Sequence, residues 1–325
     1  MKVVVTGGAG FIGSNLLEKL LQKKKYKIVV LDNLSTGHKE NLREFREKIK
    51  FVKCDLSING AWQKEFKNAK IVFHLAGLAD VVPSIEIPEK YYKANVTASL
   101  LVMETAKKYN VSKVIYTASS SCYGIPENFP TNEDTKISPK YPYALTKYLG
   151  ERIVLHWGKI YGINTISLRL FNVYGPKSRT SGTYGAVFGV FLAQKLANKP
   201  LTVVGNGKQK RDFTYVSDVV DCLIIASNSN IKNNYFNVGS GNTYSINKLV
   251  KLLKGKKTYI PKRPGEPDCT WADISKIYKY LNWKPKISLE EGVNNLLKQI
   301  NYWQKAPLWT KSKIKTATKT WFKYL

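Results

Sequence analysis

The chain has 325 residues, 43% of them apolar, and a formal net charge of +29. That length holds one large α/β domain and a smaller lobe, and no apolar run approaches the roughly 18 residues of a membrane-spanning helix. Seven arginines leave 45 of the 52 basic residues as lysines, spread over helix faces that read as exposed. With arginine scarce and no basic stripe interleaved with aromatics, nucleic-acid binding is not expected. Cys54, Cys122, Cys222 and Cys269 lack metal-ligand spacing and the three histidines are unclustered, so no metal site is expected. Free thiols and a start directly into a strand, with no signal peptide, read as a cytoplasmic protein.

Lys2 to Val5 is a β-branched run that predicts a buried first strand. Gly7, Gly10 and Gly13 follow, and then Leu16, Leu17, Leu20 and Leu21 repeat at helical spacing. Strand, glycine turn and helix form the context in which backbone N–H groups and a helix N-terminus hold a pyrophosphate. A second predicted strand, 27–31, ends at Asp32, about 20 positions past the loop, where a carboxylate accepts hydrogen bonds from the adenosine ribose. The same carboxylate repels a 2′-phosphate, so NAD is expected rather than NADP. Asp55, after the predicted strand 51–54, is a candidate second contact for the adenine or a plain turn residue.

Further strands are predicted at 71–75, 113–117 and 165–170, with helices at 89–109 and 142–158. This alternation predicts a Rossmann-type, doubly wound parallel sheet. From about residue 175 the pattern changes to helices at 185–197, 217–227 and 245–253 with short strands at 201–204 and 257–260. The expected organisation is a dinucleotide-binding domain over 1–174, a smaller C-terminal substrate-binding lobe over 175–303 interleaved with the sheet, and a basic tail over 304–325.

Tyr143 and Lys147 stand four apart in YALTK, and Ser119 precedes Tyr143 by 24 residues. A tyrosine with an ordinary pKa of about 10 is a poor base at neutral pH. A lysine one helical turn away shares its face and favours the phenolate. A serine reaching the same substrate oxygen completes a proton-handling set, and with the glycine loop the chain reads as a nicotinamide-dependent enzyme.

These segments resemble the extended short-chain dehydrogenase/reductase family, specifically its NAD-dependent nucleotide-sugar epimerases and dehydratases. The resemblance spans about residues 1–303, through TGGAGFIGS, DNLSTG, HLAG, the NV at Asn95, SSSCYG, YALTK, LRLFNVYGP, GNGKQKRDFTYVSDV and RPGEPDCTWADISKI. It implies Ser119, Tyr143 and Lys147 as the catalytic residues. It implies NAD contacts from Gly7, Gly10, Phe11, Ile12, Gly13, Asp32, Asn33, Ser35, Asp55, Leu56, Leu75, Ala76 and Asn95, together with Tyr143 and Lys147. For the nucleotide sugar it implies Asn172 near the phosphates, Arg211 and Arg263 clamping the diphosphate, and Ser120 and Ser121 as neighbouring contacts. A homodimer through the helices 89–109 and 142–158 is a further expectation of the resemblance.

Two departures narrow the chemistry. Dehydrating relatives carry an Asp-Glu pair after the catalytic residue and decarboxylating ones a Glu at the second position. Here the two positions are Ser120 and Ser121, which cannot act as carboxylate acids or bases. Oxidation at C4 and return of the hydride remain, which is epimerisation of a UDP-hexose, UDP-N-acetylhexosamine or UDP-uronate through a 4-keto sugar. Thr270 stands where a bulky aromatic restricts the pocket to unsubstituted hexoses, so a larger sugar is expected to fit. Two other readings stay open: an oxidoreductase with net keto-sugar formation or reduction, and a non-catalytic Rossmann module that binds RNA or protein. In the tail, a helix beyond Pro307 places Ile314, Ala317 and Trp321 on one face. Docking on its own domain or on a dimer partner is favoured there over contact with an anionic membrane surface.

Overall fold

A computed structural model describes every residue except Lys24 and residues 179–185. Seven parallel strands form the central sheet: β1 (Lys2–Thr6), β2 (Lys27–Asp32), β3 (Ile49–Lys53), β4 (Ala69–His74), β5 (Lys113–Ser119), β6 (Asn164–Leu170) and β7 (Asn234–Val238). Their order is β7-β6-β5-β4-β1-β2-β3. The chain winds outward from β1 in one direction and from β4 in the other. Strand order therefore reverses between β1 and β4, where open α/β sheets bind ligands at the strands' carboxyl ends.

β1 reads as continuous valine because both of its faces are buried. Val3 and Val5 pack with Leu16, Leu17 and Leu20 of α1 (Phe11–Leu21) and with Val219, Val220 and Leu223 of the helix Val216–Asn228. Val4 points the other way, into a cluster with Val72, Val102, Met103, Val114 and Val154. The helices Ala98–Lys108 and Pro142–Tyr161 supply that second layer. A third cluster, including Phe188, Phe191, Leu201, Phe213, Leu249 and Trp303, forms the core of the later part of the chain. There the short strands Leu201–Val204 and Lys257–Ile260 pair in parallel with each other.

The predicted single helix over 89–109 is three segments. Pro88–Tyr92 is helical, Lys93–Thr97 is a π-helical turn, and Ala98–Lys108 resumes the α-helix. The π turn carries Asn95, whose side chain is taken up by the sheet side of the molecule, and such turns recur at functional sites. The predicted helix 185–197 starts at a residue outside the described ones; its described part is Val187–Leu196. β7 has no clear signature in the sequence. Two of its five residues are asparagines, and Asn237 is buried because Tyr123, Thr131 and Glu133 satisfy it.

In the tail, the expected single amphipathic helix is two short ones, Lys311–Ala317 and Lys319–Tyr324. Ile314 and Trp321 are buried, Ala317 is half-buried, and the lysines of this segment are exposed. The apolar face lies on this chain's own surface. Among the described residues no helix is long and apolar enough to cross a membrane.

Candidate active site

One continuous cavity of about 790 Å³ runs along the carboxyl ends of the strands, from the glycine loop past β4 and β5 into the later part of the chain. Every predicted site residue lines it except Asn95.

At the first end, Gly7 adopts φ +69°, and a Cβ there would come within 2.7 Å of the Ala76 backbone nitrogen. A Cβ on Gly13 would collide with the Gly7 carbonyl. Glycine at these two positions lets the loop turn tightly and lets α1 approach β1. The helix has no side-chain cap, so its first N–H groups are left for a ligand at the loop. Asp32, at the end of β2, is buried and doubly held. Its Oδ2 accepts from the Ala9 N–H at 2.9 Å and its Oδ1 from the Leu34 N–H at 2.8 Å. Burial raises its pKa and these two hydrogen bonds oppose the rise. The carboxylate thus ties the glycine loop to β2 while facing the cavity. Asp55 is tied to Ser57, accepting from its N–H at 2.8 Å and its hydroxyl at 2.7 Å.

At the centre, Ser119 closes β5 and its hydroxyl lies beside the phenol of Tyr143, at the start of the helix Pro142–Tyr161. Strand and helix thereby bring together residues 24 apart. Tyr143 is further flanked by Tyr141, whose ring stacks on it with centroids 6.3 Å apart and planes 7° from parallel. Burial holds the Tyr143 phenol above its ordinary range; the Ser119 hydroxyl pulls it down, and Tyr141 and Asp80 push it up.

Lys147 follows Tyr143 one helical turn on, in the same helix. Lys147 is buried with its ammonium 4.4 Å from the centroid of the Tyr116 ring. Burial lowers its own pKa to about 7, against an upward pull from Glu151. Beneath the site, His74 bridges the Thr6 hydroxyl at 2.8 Å and the Ser99 hydroxyl at 3.1 Å. Its pKa is pushed down to about 3 by burial and then by Lys147, so it is neutral.

Asn95 also departs from expectation. Its Oδ1 accepts from the Leu78 N–H at 2.8 Å, and its amide donates to the Leu78 carbonyl at 3.1 Å and the Thr146 hydroxyl at 3.0 Å. Those three bonds turn the side chain away from the cavity. It is a positioning residue that fixes the Gly77–Leu78 edge, where a Cβ on Gly77 would lie 2.7 Å from Asn95 Oδ1.

At the far end, Arg211 and Arg263 converge on one carboxylate. Arg211 Nη2 meets Glu266 Oε1 at 2.8 Å and Arg263 Nη1 meets Glu266 Oε2 at 3.8 Å. Two guanidinium groups thus gather around one carboxylate at the edge of the cavity. Thr270 donates its hydroxyl to Asn172 Oδ1 at 2.8 Å and accepts from the Asp212 N–H at 3.1 Å. Asp212 is buried, its pKa raised to about 6 by desolvation against hydrogen bonds from the Ser240 and Ala272 N–H groups. It holds the segment that carries Thr270 against the end of β7.

The family model for the NAD dependent epimerase/dehydratase family matches residues 3–239. This chain belongs to that family. A putative UDP-glucose 4-epimerase of Methanocaldococcus jannaschii is 36% identical over 303 residues, covering 91% of this chain and 97% of that protein. The crystal structure of UDP-glucose 4-epimerase with UDP-glucose from Thermotoga maritima superposes with TM-score 0.88 at 33% identity, covering 93% of this chain and 99% of that one. The UDP-glucuronic acid 4-epimerase of Bacillus cereus, in complex with UDP-glucuronic acid and NAD, gives TM-score 0.86 at 31% identity, covering 93% and 99%.

The residues present fit the family's cofactor. A glycine loop that a Cβ would block, an uncapped helix start and a buried, cavity-facing carboxylate are the groups a dinucleotide needs. Several cavity residues escape the sequence reading, four of them aromatic or charged groups beside the predicted ones. Tyr141 lies two positions from Tyr143, and no periodicity points to it. Glu266 stands inside the quoted RPGEP segment but gains its place only through the two arginines. Trp309 and Trp321 reach the cavity from the tail, far from every motif.

Proposed function

We propose that this protein interconverts the C4 epimers of a nucleotide-diphosphate sugar, a UDP-hexose or a UDP-hexose with a larger substituent. The observation that carries the reading is the Ser119–Tyr143 pair beside Lys147, placed in one cavity between the dinucleotide cradle and the paired arginines. NAD, when bound, takes up the hydride from C4 and returns it. Tyr143 accepts the proton of the 4-hydroxyl and later gives it back, and Ser119 holds the same oxygen through a hydrogen bond. Lys147 orients the nicotinamide ribose and stabilises the tyrosinate. Arg211 and Arg263 grip the diphosphate while the keto sugar turns to present its other face. Ser120 and Ser121 leave the site without a carboxylate for dehydration or decarboxylation, which favours epimerisation over those reactions.

Thr270 supports a roomier sugar pocket, since its small side chain is occupied by Asn172 and the Asp212 N–H. The names of the relatives range over UDP-glucose and UDP-glucuronate, consistent with a fold that changes sugar by changing such contacts. A homodimer through the 88–108 and 142–161 helices is part of the same reading. Tyr92, Leu145 and Ile160 stand exposed on these helices.

The test incubates purified protein with UDP-glucose, UDP-N-acetylglucosamine and UDP-glucuronate, without added NAD, and follows products by NMR. Interconversion at C4 of one of them is expected, with Tyr143→Phe reduced to a few per cent or less. Stoichiometric keto-sugar release, or full activity in Tyr143→Phe, would overturn the assignment.

A further inference from the structure

The tail after Trp303 crosses the outer side of the cavity. At its start, the buried amide of Gln194 donates to the Trp309 carbonyl at 2.7 Å and to the Thr202 hydroxyl at 2.9 Å, which ties the segment to the later half of the chain. At its end, the Thr320 hydroxyl donates to Glu86 at 3.1 Å, on the helix Val81–Glu86 from the first half. Ala306, Pro307, Trp309 and Trp321 of this tail line the cavity itself.

Trp321 makes the decisive contacts. Its indole N–H donates to the Pro264 carbonyl at 2.7 Å. The Arg263 guanidinium lies over its ring at 5.6 Å from the centroid. Its ring also meets Tyr141 at 6.2 Å, and Tyr141 in turn stacks on Tyr143. Leu325, just past the end of the helix Lys319–Tyr324, lies beside Gly265. The loop Arg263–Glu266 carries one arginine and the carboxylate that gathers both, and the tail holds it at three successive residues.

We propose that the C-terminal helix Lys319–Tyr324 is the outer wall of the substrate site and that Trp321 is the positioning residue for the diphosphate-binding loop Arg263–Glu266. The ligand concerned is the diphosphate of the nucleotide sugar, so the inference rests on the function proposed above. An arginine fixed by a ring face and a backbone anchor loses less freedom when it meets a phosphate than one on an unsupported loop. The tail is thereby coupled to substrate affinity, and it reaches Tyr143 only through Tyr141.

The experiment measures UDP binding by calorimetry, and KM and kcat with the preferred UDP-sugar, for the parent, Trp321→Ala and Trp321→Phe. Removing the ring and its hydrogen bond is expected to raise the UDP dissociation constant and KM together by about tenfold, with a smaller change in kcat and with bound NAD within twofold of the parent. Trp321→Phe keeps a ring under Arg263 but loses the bond to Pro264, and a two- to threefold rise in both is expected with an unchanged melting temperature. Should the alanine variant fail to fold, the phenylalanine variant decides. UDP affinity equal to the parent's in the folded variants overturns the inference and leaves the tail a surface cover. Binding of UDP by the parent tests the nucleotide reading separately, since the inference concerns only the ratio of variant to parent.

Discussion

Asp32→Asn removes a charge while keeping the shape, and its consequences can be worked from two hydrogen bonds. The carboxylate now accepts from the Ala9 N–H on Oδ2 and the Leu34 N–H on Oδ1. An asparagine has one oxygen, so it keeps one of these and turns an NH₂ group towards the other donor. An unmatched N–H in a buried site costs about 1–3 kcal/mol. If the Ala9 bond is the one lost, the glycine loop loses its tie to β2 as well. Hydrogen bonds from a ribose to a charged acceptor contribute about 1.5–3 kcal/mol, and these weaken when the charge goes. With tenfold in affinity for each 1.4 kcal/mol, NAD should bind about ten- to a hundredfold more weakly. NADP should lose less, because the repulsion of its 2′-phosphate goes with the charge. The assay is calorimetric titration of cofactor-stripped protein with NAD and with NADP, alongside chromatography of the nucleotide released from the purified variant. A variant that binds NAD within twofold of the parent, with the same preference over NADP, would refute the reasoning.

Two further outcomes follow from buried charges. Glu151→Gln strands the Arg169 guanidinium, which is 2.6 Å from Glu151 Oε1 in a pair that is almost wholly buried. Urea unfolding should show a loss of about 3–5 kcal/mol, and a loss under 1 kcal/mol would mean that the neighbouring Tyr123 hydroxyl already carries the pair. Lys147 has a folded pKa of about 7 against an ordinary 10.5, so between those values the unfolded chain holds a proton that the folded one has released. Stability is therefore expected to rise with pH across that window, by up to about 1.4 kcal/mol per pH unit from this group. Lys147→Met lacks that rise, so its advantage over the parent should shrink between pH 7 and 9; a constant difference would show Lys147 to be charged throughout.

What the chain declares locally depends on residue type and spacing. The valine strand, the glycine triplet and the acidic end of β2 are consecutive in sequence, and their geometry follows from backbone freedom and β-branching alone. Tyr143 and Lys147 share a helix turn by the helical period. The Ser120 and Ser121 side chains exclude carboxylate chemistry without any structure. β7 was illegible because its asparagines look like loop residues until Tyr123, Thr131 and Glu133 arrive from elsewhere in the chain to satisfy the buried Asn237.

Folding alone decided the rest. Asn95 sits in a motif, yet whether its amide faces the cavity or Leu78 depends on how the π turn meets the end of β4. The pKa of Lys147 depends on desolvation, which is a property of everything packed around it rather than of its neighbours in sequence. Arg211, Arg263 and Glu266 converge because the short strand Lys210–Arg211 meets the loop Arg263–Glu266, and Trp321 joins them because the tail turns back across the cavity. Spacing determines which residues of one helix or strand face the same way; contact between distant segments is set by the packing of the whole core, which no local pattern encodes.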